Sequence, residues 1–135
     1  MKRFPVLLAL LLLASSAVAC PVKKGFIAGG LLPTPAGYVP KCDDWYASSK
    51  AGLMSSLGSG QKLNWYEMYA VTPKALKLDA LVQQFTAHGY TFVMKTDYGG
   101  QQGRRLRDKA GRFLDVSVSK VQGTQVFVGL SLIKF

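Results

Sequence analysis

TPKALKLDALVQQFTAHG, residues 72–89, decides how this chain folds. Leu78, Leu81, Val82 and Phe85 recur at i, i+3, i+4 and i+7, the spacing of a single apolar helix face. Thr72 has the side chain of an N-cap, and Pro73 suits the first helical position. Gly89 can take the left-handed geometry that stops a helix. The sequence therefore predicts a helix over 73–88.

Working outward, the period changes from that of a helix to that of a strand. Residues 63–71 are rich in aromatic side chains and read as a strand, and residues 90–96 read as another. A further strand is expected near 104–107. Asp108-Lys109-Ala110-Gly111 then signals a turn. Residues 113–120 alternate, with Leu114, Val116 and Val118 on one face and Phe113, Asp115, Ser117 and Ser119 on the other. Gln122-Gly123-Thr124 turns again, and Val126, Val128, Leu130 and Leu132 mark one face of a last strand over 126–135. The order is β-α-β-β-β-β. Short turns between consecutive strands imply an antiparallel β-meander, and one amphipathic helix would cover its apolar face. The expected class is α+β.

Residues 20–61 differ in composition. Gly29-Gly30, Pro33, Pro35, Gly37, Pro40 and Gly58-Ser59-Gly60 read as a loose Gly/Pro/Ser-rich arm ahead of a small domain over 62–135. One short helix over 43–57 is expected within it. Asp43 would cap that helix, and Trp45, Tyr46, Leu53, Met54 and Leu57 would form its apolar side. Gly52 and four serines weaken it.

The first nineteen residues read as an export signal. Met1-Lys2-Arg3 is a positive start, Val6 to Ala14 is an unbroken apolar run, and small residues follow up to Ala19. The run is far shorter than the roughly 20 residues a membrane-spanning helix needs. Ala17-Val18-Ala19 fits ordinary signal peptidase. With Cys20 it also resembles a lipobox, whose cysteine is acylated after cleavage; Ala17 stands where leucine is commonest. The mature protein is therefore either a lipoprotein anchored through Cys20 or a soluble periplasmic or secreted protein. In the second case Cys20–Cys42 is the only intrachain disulfide two cysteines allow. The spare thiol that lipidation would leave at Cys42 favours the disulfide form.

The chain has 135 residues and a formal charge of +10. Removing residues 1–19 takes Lys2 and Arg3 with it, leaving 15 Lys+Arg against 7 Asp+Glu, or +8, and 14 of the 15 aromatic residues. Such an apolar content excludes disorder throughout, and two cysteines exclude a disulfide-dense scaffold. With one histidine, a Cys/His metal centre is not expected. No motif calls for a cofactor.

Catalytic chemistry is sparse, and no catalytic residue is assigned. His88 closes the predicted helix, where a protonated imidazole suits the dipole better than it suits a base in a triad. Ser59 lies in a linker-like run, without the pattern of a nucleophile elbow. Asp43-Asp44 reads as a helix cap rather than a carboxylate pair. Gly99-Gly100-Gln101-Gln102-Gly103 is followed by a strand, so it reads as a flexible hairpin loop and not as a phosphate loop.

The strongest feature is the run Arg104-Arg105-Leu106-Arg107-Asp108-Lys109-Ala110-Gly111-Arg112, with five cations and one acid. Leu106 would point inward, with Arg105 and Arg107 on the opposite face and Lys109 and Arg112 at the hairpin end. Arginine forks bind phosphate and carboxylate, and Tyr98 nearby could stack on a base or sugar. The plain alternative is a solvated charged edge that discourages aggregation. Two functions follow. The first is a non-catalytic envelope or secreted binding domain that engages an anionic partner, whether lipid headgroup, cell-wall polymer, nucleic acid or acidic protein. The second is a structural or assembly protein that docks an envelope partner through a sheet edge or the aromatic strand of Trp65, Tyr66 and Tyr69. In that reading an exposed last strand ending at Phe135 would accept an added strand.

Overall fold

The computed structural model describes residues 22–135. The expected signal and Cys20, with the lipidation or pairing assigned to it, lie outside the described residues. The elements in chain order are β1 (Phe26–Ile27), β2 (Leu32–Pro33), β3 (Val39–Pro40), α1 (Asp44–Ser56), β4 (Lys62–Val71), α2 (Leu78–Ala87), β5 (Thr91–Lys95), β6 (Gln102–Arg107), β7 (Phe113–Val118) and β8 (Val126–Lys134). The chain is α+β. β1 and β2 form a small hairpin, and the other six strands form one antiparallel sheet in the order β3-β4-β8-β7-β6-β5.

Strand alternation divides the sheet into two chemically different faces. On one face, Trp65, Leu132, Leu114 and Leu106 are cross-strand neighbours in one row, and Tyr69, Val128 and Val118 share another. Leu78, Leu81 and Phe85 of α2 pack into this face. A ten-residue helix is only about 15 Å long, whereas six strands make a sheet roughly 24 Å wide. The uncovered part is closed by Ile27, Leu32 and Tyr38.

Residues 22–61 are therefore built into the fold, where their composition suggested a loose arm. Their glycines make turns that carry apolar side chains to the sheet. Between β1 and β2, Ala28, Gly29 and Gly30 all take positive φ. This sharp turn brings the Ala28 and Gly29 amides onto the carboxylate of Glu67, both at 2.7 Å. Glu67 is only 3% exposed and also accepts from the Tyr69 hydroxyl at 2.8 Å.

Two further differences have local causes. α2 begins at Leu78 rather than Pro73, and its N-cap position is Lys77, which makes no side-chain cap bond. The Thr72 carbonyl instead accepts from the Ala75 and Leu76 amides, closing a separate turn. That turn rests on Gly37, where a Cβ would come within 2.8 Å of the Ala75 methyl. α1 is capped by Asp43, whose carboxylate accepts from the Trp45 and Tyr46 amides. Its apolar side is thin: Tyr46 is buried and Leu53 half-buried against Tyr66, Met68 and Phe127, while Trp45 and Met54 are exposed. α1 thus covers part of the second sheet face.

Candidate functional site

The basic run is divided by the pleat and largely neutralised. Arg104 is 7% exposed on the α2 side, where its guanidinium donates to Asp97 at 2.9 Å and to the Gly103 carbonyl at 2.7 Å. Asp97 accepts the Gly103 amide as well, and together these contacts hold its carboxyl below the ordinary carboxylate range. Arg105 lies on the other face and grips Asp115 with two parallel bonds of 2.8 Å, which raises the guanidinium above its usual value. Its guanidinium also sits 4.6 Å from the centre of the Phe113 ring. Arg112 bonds Asp108 at 2.7 Å. Burial works to raise the Asp108 carboxyl, but the Arg112 amide and guanidinium together hold it low.

Arg107, Lys109 and Arg112 do share one end of the sheet, and two further cations join them there. Lys62 and Lys134 are cross-strand partners on β4 and β8. In the next rows, Phe113 pairs with both Ile133 and Arg107. Lys134 and Arg112 line one hollow of about 270 Å³ with Asn64 and Phe135. Lys109 and Arg112 line a second, of about 410 Å³, with Leu31, His88, Tyr90 and Asp108. Five cations thus gather with Asp108 at one end. No serine, threonine or cysteine lines the hollow holding His88, whose Nδ1 lies 2.8 Å from the Gln84 carbonyl.

No family model, curated protein or solved structure matches the chain. Its function must be read from its own surfaces.

Tyr98 is not part of the basic end. β6 separates them by about 17 Å, its five residue steps at 3.4 Å each. Tyr98 instead stands at the tip of the β5–β6 hairpin and is 84% exposed. That tip is no floppy loop: Tyr98 and Gln101 exchange backbone hydrogen bonds across Gly99 and Gly100, both with positive φ. Two such residues make the tight turn that matches strand twist, and glycine adopts it without strain. A Cβ on Gly100 would meet the Lys120 side chain, so the β5–β6 and β7–β8 hairpin tips pack together.

These tips wall one side of an open groove of about 840 Å³ on the face opposite α2; α1, with Trp45, walls the other. Its floor has one polar row, Tyr66–Ser131–Asp115–Arg105, and beside it a row of small residues, Gly129–Ser117–Gly103. Gly129 makes room for the hydroxyls above it, since a Cβ there would come 2.7 Å from the Ser117 hydroxyl and 3.4 Å from that of Tyr66. Burial raises the Tyr66 phenol, against a hydrogen bond with Ser49.

Two expected docking elements are placed elsewhere. β8 lies between β4 and β7, so its edges are already paired and it can accept no added strand. Tyr66 and Tyr69 are buried, and Trp65 is packed against the core. Among the described residues, no group of three His, Cys, Asp or Glu could hold a metal ion, and no helix is long and apolar enough to cross a membrane.

Sequence reasoning missed Lys62 and Lys134. Each is a lone lysine at a strand end, and only the β4–β8 register brings them together. The groove floor left a fainter signal: polar and small residues at every second position of β7 and β8, opposite their valines and leucines.

Proposed function

We propose that this is an exported, non-catalytic binding domain that rests the basic end of its sheet on an anionic lipid surface. The observation that carries the reading is the convergence of Lys62, Arg107, Lys109, Arg112 and Lys134 against one acid. Like charges on cross-strand partners destabilise a sheet, so the Lys62–Lys134 pair is a cost that an anionic partner would relieve. Exposed Phe135 and Leu31 border the same hollows and would meet the headgroup layer. If a signal is cleaved before Cys20, that cysteine would either be acylated, adding a membrane anchor to the basic surface, or be joined to Cys42 in a soluble form.

The test is sedimentation of the mature protein with vesicles of phosphatidylcholine alone or mixed with phosphatidylglycerol, at low and at physiological salt. Each basic residue near an anionic surface contributes about 1 kcal/mol. Replacing Arg107, Lys109 and Lys134 together by alanine should therefore weaken binding roughly a hundredfold. Lys120→Ala, at the other end, should change little. Equal binding to neutral vesicles, or binding indifferent to the triple substitution, overturns the reading. Retention on single-stranded DNA but not on vesicles would reassign the partner.

A second reading is favoured by β5, an outer strand on which Phe92, Val93 and Met94 are all exposed. The opposite edge, β3, is two residues long and ends in Pro40. β5 is the edge at which a partner strand would add. Val93→Lys would abolish such docking and leave vesicle binding intact.

A further inference from the structure

We propose that the groove between α1 and the two hairpin tips is a second binding site, and that it takes an uncharged stretch of a saccharide chain. The site is independent of the basic end and lies on a different part of the molecule.

The groove's chemistry narrows its ligand by elimination. A lipid chain would need an apolar floor throughout; Leu53, Met68 and Phe127 line the groove, but its floor also carries Ser117, Ser131, Asp115 and Arg105. A nucleic acid would need several free cations for its phosphates. Arg105 and Asp115 cancel one another, leaving Lys120 as the one remaining charged side chain in the lining. An extended peptide binds most readily by adding to an open strand edge. The central floor strands β8, β7 and β6 are each paired on both sides, so they present only side chains to the groove; β4, paired with β8 throughout, has β3 on its outer side only at Tyr69 and Ala70.

A sugar ring has an apolar C–H face and a rim of hydroxyls, and the groove offers a match to both. Trp45, 51% exposed, and Tyr98 are aromatic faces on opposite walls. Trp45 is steadied by the Phe127 ring, 5.4 Å away between centroids. Tyr98 is steadied by its two-glycine turn. Hydroxyls donate and accept at once, so their site must do both. Arg105 commits its Nε and Nη2 to Asp115 and keeps further N–H groups; the Asp115 carboxylate keeps lone pairs beyond the two contacts. The pair is therefore a stiff plate of donors and acceptors, flanked by the Ser117 and Ser131 hydroxyls. Gly129, lacking a side chain, leaves room beside this plate for the Ser117 and Tyr66 hydroxyls. A volume of about 840 Å³ lies in the range of ligand sites.

The experiment is calorimetric titration of the mature protein with three uncharged hexasaccharides, of α-linked glucose, β-linked glucose and β-linked N-acetylglucosamine. One-to-one binding of at least one, tighter than about 1 mM, is expected. Trp45→Ala and Tyr98→Ala should each weaken it at least tenfold. Both side chains are exposed, so the variants should keep the parent's circular dichroism and vesicle binding. Lys109→Ala, at the basic end, should leave sugar binding unchanged. Absence of heat with all three sugars, or binding indifferent to both aromatic substitutions, overturns the proposal. Because vesicle binding is read on the same samples, failure of this site and failure of the basic end are told apart.

Discussion

Replacing Glu67 by glutamine tests whether one buried carboxylate holds residues 22–33 on the sheet. In the parent, its two oxygens accept from the Ala28 and Gly29 amides at 2.7 Å and from the Tyr69 hydroxyl at 2.8 Å. Burial and this hydrogen bond from Tyr69 both push the Tyr69 phenol far above its ordinary value, so the hydroxyl stays protonated and donates. An amide of the same shape has one accepting oxygen and one donating nitrogen. One of the two backbone N–H groups would then face another donor. A buried donor left unsatisfied costs about 1–3 kcal/mol, and the surviving bonds lose their charge assistance, so the total is about 2–4 kcal/mol. That is a large part of the roughly 5–15 kcal/mol of a typical domain. It should lower the melting temperature by roughly 8–15 °C. Thermal and urea unfolding of the mature protein measure the loss, and amide hydrogen exchange at Ala28 and Gly29 locates it. A loss under about 0.5 kcal/mol, with both amides as protected as in the parent, would refute the reasoning.

Four other outcomes are expected. Lys134→Glu should stabilise the domain by about 0.2–1 kcal/mol at low salt, by replacing the repulsion with Lys62 by attraction; the gain should shrink as salt rises, and vesicle binding should weaken. The carboxyls of Asp43, Asp97 and Asp108 all lie below their ordinary value. Their contribution to stability is full above the unfolded value of about 3.9 and is lost as pH falls below it. Melting temperature should therefore hold from neutral pH to about 5 and drop below about 4, less steeply in Asp97→Asn and Asp108→Asn. Phe85→Ala empties the fully buried centre of the α2 face and should cost about 3–5 kcal/mol by chemical denaturation. Mass spectrometry of the exported protein should find a terminus at Cys20, either acylated or joined to Cys42. Joined, its loop of about 22 residues would contribute roughly 3 kcal/mol, and an intact, reduced 135-residue chain would remove the export reading.

The α+β class was legible because it rests on local periods. Leu78, Leu81 and Phe85 announce a helix among their own neighbours, and Leu114, Val116 and Val118 announce a strand. The start of α2 was not legible, since Thr72 and Pro73 suit a turn as well as a cap and only the approach of Ala75 to Gly37 decides between them. The packing of residues 22–61 was hidden for a related reason: glycine and proline say that a chain bends, not what it bends against. Glu67 and its amides lie nearly forty residues apart. The basic run was visible as charge, but not as charge already answered. Asp97 and Asp115 reach Arg104 and Arg105 only once β5, β6 and β7 are side by side. Tyr98 was grouped with the basic run because it is near in sequence, yet six residues of strand carry it to the other end of the sheet from Arg107.

The placement of β8 has a consequence for how the protein is made. The final nine-residue strand is an interior one, wedged between β4 and β7. Synthesis proceeds from the amino end, so this strand is made after both of the strands that flank it. Until then, β4 and β7 each lack a neighbour, and the leucines and valines meant for the α2 face have no complete wall to meet. If the chain is exported as proposed, a sheet that cannot close before β8 has been made would keep the polypeptide threadable through a narrow translocation channel.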